Sequence, residues 1–545
     1  MRGAALGAAV GVVALAVTAA GCASTPHYVP PAHTYYVAAD GNDASDGTAP
    51  DSAWRTLERA ERTKLEPGDR LLLEGGTRFR GSVTVGRDEA GDAARPVVIG
   101  SFGTGRATVV SVAEPAVSVH DTSGVQVRDL LLRGSRASRA HDAGVNLYSD
   151  LRDGSRPAGI TVSGVDVSGF RVGLAVGASP HGVGFRDVTV RQSVLHGNKD
   201  AGLLTYGPDY KPARDVYAHE DLTLDSVAAY GNQGDPTAHD RHTGDGIVVG
   251  SVRGATLRHV DAHDNGARAA SDAPEGPVGV WTYDATRVVI EESVSYRNHT
   301  GSTVDGAGFG LDSNVSHSAL RRNLAFDNDG PGFYAYQRWQ NGAHAHNTIS
   351  HNISADDGRA LPEHGALAVY GTDIHELAVV QNTVLLSLSP AGPGPALRLQ
   401  PGEHGVAVRN NLFVTEGVPL VFADPGLTRS DVVLQGNDYR SVEGGWQVGW
   451  GADTYGSLTA WREGTGQEMA GGQATGLDVD PCLAGGALPA ILSVADAPRT
   501  IPYCPALAAQ GVELPLPDQA PAAGSVDYFG RTVTTPPQVG AVIPR

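Results

Sequence analysis

Lysine is almost missing from this chain. Only Lys64, Lys199 and Lys211 occur among 545 residues, and the formal net charge is −19. That balance argues against nucleic acid or an anionic membrane surface as partner, and it disfavours a highly charged polyanionic substrate. Cysteine is as scarce, with Cys22, Cys482 and Cys504. No LxxLxLxxN run occurs, which excludes leucine-rich repeats. The repeats are also too short for propeller blades, which need about 40–50 residues and four strands each.

What the chain has instead is one strand written eleven times. The blocks are AVSVHD (116–121), GVNLYS (144–149), GLAVGA (173–178), GLLTYG (202–207), GIVVGS (246–251), GVWTYD (279–284), GFGLDS (308–313), GFYAYQ (332–337), ALAVYG (366–371), ALRLQP (396–401) and PLVFAD (419–424). Their second column is wholly apolar, from Val117 and Val145 to Phe309, Phe333 and Leu420, and the fourth is nearly so. Alternation with period two puts these columns on one face of a strand. The third and fifth columns face the other way and carry Tyr148, Tyr206, Trp281, Tyr283, Asp312, Tyr334, Tyr336 and Tyr370.

Block starts lie 23 to 44 residues apart. One such unit cannot bury its apolar face alone, so the repeat implies a stacked solenoid. A second strand follows many blocks, as in VTVRQS (188–193), LTLDSV (222–227), VVIEES (288–293) and LAVVQN (377–382). Asn recurs at a turn as Asn198, Asn232, Asn265, Asn298 and Asn328. Stacked Asn side chains bond to one another and tolerate left-handed turns, so these are read as structural. The expected fold is all-β: a right-handed parallel β-helix of about eleven or more rungs, capped at both ends. The insertions 207–245 and 266–278 would be loops on its binding face.

The N-terminus reads Arg2, an apolar run to Ala20, then Gly21-Cys22. This is the pattern of a signal peptide rather than a spanning helix. Its AAGC ending is similar to a bacterial lipoprotein box, in which Cys22 would be lipidated; the alternative is ordinary cleavage near Ala23. Either way an extracellular location is expected, membrane-anchored only through the lipid or secreted. An oxidising compartment would then join Cys482 to Cys504. The expected organisation is a leader (1–22), a tether (23–33), an N-terminal cap with first rungs (34–115), the β-helix (116–440) and a C-terminal cap (441–545). A monomer is expected.

The segment YYVAADGNDASDGTAPDSAWRTLERA followed by LEPGDRLLLEGGTRFRGS (35–82) resembles the N-terminal cap of the pectate-lyase-like β-helix superfamily. WQVGWGADTYGSLTAWREGTGQE (446–468), LDVDP (477–481) and DYFGRTVTTPPQVGA (527–541) resemble that group's closing segments. The resemblance implies the fold and a carbohydrate-related role. It transfers no catalytic set, because the Lys or Arg bases of such lyases find no aligned counterpart in Lys199 or Lys211.

Chemistry must therefore come from the outward columns. Parallel strands lie about 4.8 Å apart and residues rise about 3.3 Å along each, so Asp284 and Asp312, one strand and one residue apart, would sit roughly 6 Å from backbone to backbone. That approaches the carboxyl spacings of glycosidases. Asp305, at the edge of the Asp312 strand, would orient a water or a sugar, and Asp245 occupies a comparable turn. For each Asp the alternative is capping of turn amides. Trp281, Tyr283, Tyr334 and Tyr336 bracket Asp312, and Gly310 would clear space above the sheet. Rings of this kind pack on sugar CH faces. Gln337 and Arg338 would supply an amide and a cation, Trp339 a wall, and Tyr206 and Tyr370 further binding surface. The alternative is an aromatic ladder that only covers the sheet.

In PTAHDRHTGD (236–245), His239, Asp240, Arg241 and His242 make either a proton-transfer site or a solvated loop. No cofactor is required by the sequence; calcium would suit an all-oxygen site here, although no fixed-spacing calcium motif is present. The expected function is cleavage of an extracellular polysaccharide by a glycoside hydrolase. Two alternatives stand beside it: a polysaccharide lyase using Lys211, Arg338 or His242 as base, and a non-catalytic glycan-binding surface protein.

Overall fold

The computed structural model describes residues 32–134, 143–208, 210–211, 216–338, 342–482, 488, 490–491, 493–496, 507–508, 510–513 and 526–543. Cys22 and the leader, most of the tether, Trp339 and Cys504 lie outside the described residues, and with them the expected lipidation and disulfide.

All eleven blocks are strands of one fourteen-stranded sheet that begins at Val83–Val85 and ends at Asp453–Tyr455. Pairing along it is parallel until the closing hairpin of Val448–Trp450 with Asp453–Tyr455. The remaining coil sides form a twenty-nine-stranded sheet. The chain is a right-handed parallel β-helix: each coil returns to the sheet beside its predecessor, and right-handed crossover is the connection that twisted parallel strands allow.

The second column forms a continuous inward row. Val145 pairs with Val117 and Leu174, Val280 with Ile247 and Phe309, and Phe333 with Phe309 and Leu367. Every one of these side chains is buried. Phe309 and Phe333 stack with centroids 5.2 Å apart and planes 3° from parallel. One block departs from the expected phase. Leu397 pairs with Val421 rather than Leu420, so Val421 and Ala423 face inward and Phe422 outward. Three apolar residues in a row, Leu420, Val421 and Phe422, satisfy either phase, and strand pairing chooses.

The Asn row is a ladder. Asn198 donates to Asn232 (3.1 Å), Asn232 to Asn265 (3.0 Å), Asn265 to Asn298 (2.9 Å) and Asn298 to Asn328 (2.9 Å), ending on Asp357 (2.8 Å). A second ladder, not singled out in the sequence, runs from Asn323 through Asn352, Asn382, Asn411 and Asn437 to Glu468. The coil is closed at the C-terminal end by the helix Leu458–Thr465. Ser457 caps it by accepting from Ala460 N at 3.2 Å, Gly466 ends it at φ 70°, and its Trp461 is fully buried. Beyond it, Leu507, Val539, Ala541 and Val542 pack on Phe326, Leu385 and Val414, on the outside of the larger sheet.

Candidate active site

On the outer face of the fourteen-stranded sheet, the strands Val278–Tyr283, Ala307–Leu311, Phe333–Gln337 and Leu367–Gly371 floor a cavity of about 590 Å³. Strand alternation sends Trp281, Tyr283, Tyr334, Tyr336 and Tyr370 into it. Register sets them side by side: Trp281 pairs with Gly310, Gly310 with Tyr334, and Tyr336 with Tyr370. The rings pack on each other, with Trp281–Tyr283 centroids at 5.3 Å, Tyr336–Tyr370 at 5.1 Å and Tyr334–Tyr370 at 6.0 Å.

Gly310 works differently from expectation. A Cβ there would lie 2.2 Å from Cζ of Tyr334, so the cleared space holds the tyrosine ring rather than a sugar. Tyr334 is accordingly 1% exposed, and its hydroxyl donates to Asp312 Oδ2 at 3.2 Å. The same device recurs where Tyr206 lies over Gly177, Tyr283 over Gly250 and Phe422 over Gly449.

Three of the expected carboxylates, Asp284, Asp305 and Asp312, line the cavity, and Glu275 joins them from the 266–278 insertion. Asp312 follows its strand and takes hydrogen bonds from Ser313 N (2.5 Å) as well as Tyr334. Asp305 sits at a left-handed turn, φ 59°, and accepts from Gly276 N at 2.6 Å. Both keep a small area open to the cavity but are ringed by protein. Burial pushes Asp305 up to about 7, with the charges of Asp312 and Asp245 adding to it. Burial pushes Asp312 up to about 6, against the pull of its Ser313 and Tyr334 donors. Burial, reinforced by the neighbouring charges of Asp312 on Asp305 and of Glu275 on Asp312, favours the protonated carboxyls. Asp284 differs: Asn314 Nδ2 donates to its Oδ1 at 2.6 Å, which ties it to the wall. The charge of Asp312 acts on Asp305, so these two carboxyls are electrostatically linked, and Asp284, paired with Asp312 in the sequence reading, lines the same cavity.

Turn capping and site membership are not exclusive. Asp305 caps Gly276, and Asp245 caps Val278 N at 3.0 Å. Asp245 is buried behind the cavity wall, where it also meets Trp281 Nε1 at 2.8 Å and His242 Nδ1 at 2.7 Å. Of the His-rich loop only His242 lines the cavity. His239 pairs with Asp272 at 2.5 Å, and Arg241 with Asp240 at 3.0 Å and Asp200 at 3.4 Å, as a solvated loop would.

Several expected binding residues stand elsewhere. Gln337 is fully buried, its Oε1 accepting from Asn314 N at 2.8 Å. It shares the inward phase of Phe333 and Ala335. Tyr206 lies on the same sheet but earlier in the stack, and Lys211 is exposed on a loop; neither lines the cavity. Arg338 does, with Nη1 3.7 Å from Glu275 Oε1. His364, Ser313 and Asn314 also line the cavity, and none of them was singled out in the sequence. Among the described residues, triads with converging metal-type ligands are Asp373/His375/His404 and His120/Asp121/Asp150, both outside this cavity.

Residues 223–384 match the family model of the right handed beta helix region. Over 73 residues the chain is 38% identical to the lacto-N-biosidase of Bifidobacterium longum subsp. longum, a match that covers 13% of this chain and 5% of that protein. The GH136 lacto-N-biosidase from Eubacterium ramulus superposes with a TM-score of 0.50 at 17% identity, over 67% of this chain and 65% of that one. Pectate lyase Pel9A aligns with 95% of the chain at a TM-score of 0.41 and 14% identity. At these identities the likeness is one of fold, the right-handed β-helix, and the matched segments span less than two thirds of the lacto-N-biosidases.

Proposed function

We propose that the protein is a glycoside hydrolase acting outside the cytoplasm, with Asp305 and Asp312 as its carboxyl pair. The observation that carries this reading is the pair itself: two carboxyls held near 7 and 6 in one aromatic-floored cavity. A glycosidase needs one carboxyl protonated and one ionised at the same pH. Two donors on Asp312 against one on Asp305 favour Asp312 as the ionised member. Asp305 then gives its proton to the glycosidic oxygen as the bond to the anomeric carbon breaks. Asp312 attacks that carbon or takes a proton from the attacking water. Trp281, Tyr283, Tyr336 and Tyr370 offer apolar ring surface and hydroxyls to the sugar. The partial likeness to two lacto-N-biosidases supports a hydrolytic activity on glycans.

The lyase reading retains one specific support. His364 lines the cavity, and burial lowers its imidazole below the ordinary value, so a neutral base is at hand. His242 does not serve, being held protonated by Asp245, and Lys211 stands outside. A panel of polysaccharides and aryl glycosides decides, read for new reducing ends and for the ultraviolet absorbance of an unsaturated uronate. Reducing ends alone support the hydrolase, and both signals overturn it in favour of the lyase. Binding without either product makes the protein a glycan-binding module. Export, lipidation of Cys22, a monomeric state and a Cys482–Cys504 bond remain part of the proposal; metabolic lipid labelling, gel filtration and mass spectrometry of unreduced peptides test them.

A further inference from the structure

Two walls of the cavity lead back to one buried side chain. Asp245 opens the strand Asp245–Gly250 and is 1% exposed. Its Oδ1 receives the Trp281 indole N–H (2.8 Å) and Val278 N (3.0 Å), and its Oδ2 receives His242 Nδ1 (2.7 Å). His242 and Trp281 also touch directly, edge to face, at 5.2 Å and 73°. Trp281 comes from the next strand, Val278–Tyr283, and His242 from the long insertion before Asp245, so neither neighbour alone orients the other.

We propose that Asp245 is a positioning residue that ties the Trp281 ring and the His242 imidazole to a single carboxylate, fixing His242 as a cation facing Asp305. This deepens the hydrolase reading and rests on it for its chemical meaning, though not for its test. The acidic groups that act on His242 are Asp245 behind it, Glu275 from the 266–278 loop and Asp305 from the turn before Ala307–Leu311, and Arg338 lines the same cavity, paired with Glu275. Arg241, its neighbour in the loop, is engaged with Asp200 and Asp240. Burial alone would lower the His242 imidazole, but Asp245, with Glu275 and Asp305, holds it up at about 9. A cation already in place when Asp305 loses its proton stabilises the carboxylate at the moment it forms, without rearrangement. The same carboxylate keeps the Trp281 ring at the angle that shapes the sugar wall. Leucine in place of Asp245 would release both walls, whereas asparagine would release the charge and keep a partner for the indole.

The test needs no substrate. In protein carrying ¹⁵N-labelled His and Trp and ¹³C-carboxyl Asp, signals are assigned by their loss in His242→Gln, Trp281→Phe and Asp305→Asn. His242 is expected to remain doubly protonated until about pH 9. In Asp245→Asn it should lose its proton at a clearly lower pH, and in Asp245→Leu, which removes the partner of both groups, the His242 titration and the Trp281 indole signal should both move. If only one of the two moves, Asp245 does not join the walls and the proposal falls. Should the Asp245 variants fail to fold, His242→Gln still decides: the Asp305 carboxyl should titrate higher by roughly half a unit or more once the cation is gone. An unchanged Asp305 midpoint would overturn the proposal. These titrations come out the same whether or not any glycan is cleaved, so failure here is distinct from failure of the hydrolase reading. On an aryl glycoside that the wild type hydrolyses, the limb of the pH profile set by Asp305 should shift with its midpoint.

Discussion

The asparagine ladders and the cavity both remove polar side chains from water, on coils of the same solenoid. In the ladder, each amide donates to the carbonyl oxygen of the next and to a backbone oxygen, and Asn265 for example meets Asn298 at 2.9 Å and Ala229 O at 3.0 Å. Every coil repeats the bond, so burial is compensated coil by coil. In the cavity, Asp305 takes a single hydrogen bond among the described residues and faces the negative charges of Asp312 and Asp245. Nothing there repeats. Satisfied polar burial stiffens the stack, and under-satisfied burial stores reactivity.

That contrast can be broken from either side. The largest effect should come from inside the stack. Phe309→Asp places an unpaired charge and a void beside Phe333, and soluble protein should be lost; an unchanged melting temperature would refute the inward phase. Next, Asp312→Asn should reduce turnover on a confirmed glycan by about 10²–10⁴-fold or more, with the melting temperature held or raised and glycan binding retained. Full activity in that variant would sink the hydrolase assignment. Asn265→Ala should show the reverse profile. It strands the donors of Asn232 and the oxygen of Ala229, at about 1–3 kcal/mol for each unsatisfied group, while catalysis per folded molecule stays the same. A denaturant midpoint equal to that of wild type would deny the ladder its structural role.

The smallest effect is on the pH dependence of stability. Asp305 and Asp312 titrate above 3.8 when folded, so the native state binds more protons than the unfolded chain between the ordinary carboxylate value and about 7. Their contribution to stability is complete below the unfolded value and is lost as pH rises through the folded values. Relative to wild type, Asp305→Asn should therefore gain stability between pH 4 and about 7 and change little below. A variant that gains nothing on the alkaline side would show that Asp305 is not held protonated. Asp357 and Asp438, also pushed up to about 7 by burial, add to the wild-type slope and cancel in the difference.

Most of the fold was readable because period-two columns recur often enough for register to average out local ambiguity. Where three apolar residues ran together, at Leu420–Phe422, the phase was lost, since pairing with Leu397 decides it. The site was readable only as far as it belongs to the columns. Asp312, Trp281, Tyr283, Tyr336 and Tyr370 follow from alternation. The alternation that placed them also puts Gln337 inside, beside Phe333 and Ala335. Glu275, His242 and His364 arrive on loops whose paths do not repeat, so no column announces Glu275 or His364, and His242 was visible only as part of a polar cluster. The role of Asp245 depends on contacts one coil away, with Trp281 and Val278, and these exist only once the coils are stacked.

The glycine–aromatic contacts divide the solenoid into couples. Gly177 shelters Tyr206, Gly250 shelters Tyr283, Gly310 shelters Tyr334, and Gly449 receives Phe422. Each couple joins two consecutive coils, and no coil belongs to two couples. Excising or duplicating one coil of a couple would leave a ring pressed against a foreign Cβ, or a glycine with nothing over it. Such a solenoid can be lengthened or shortened by a single coil where no such contact spans the join, as beside Leu367–Gly371, but wherever one does the unit that must be added or removed is the pair.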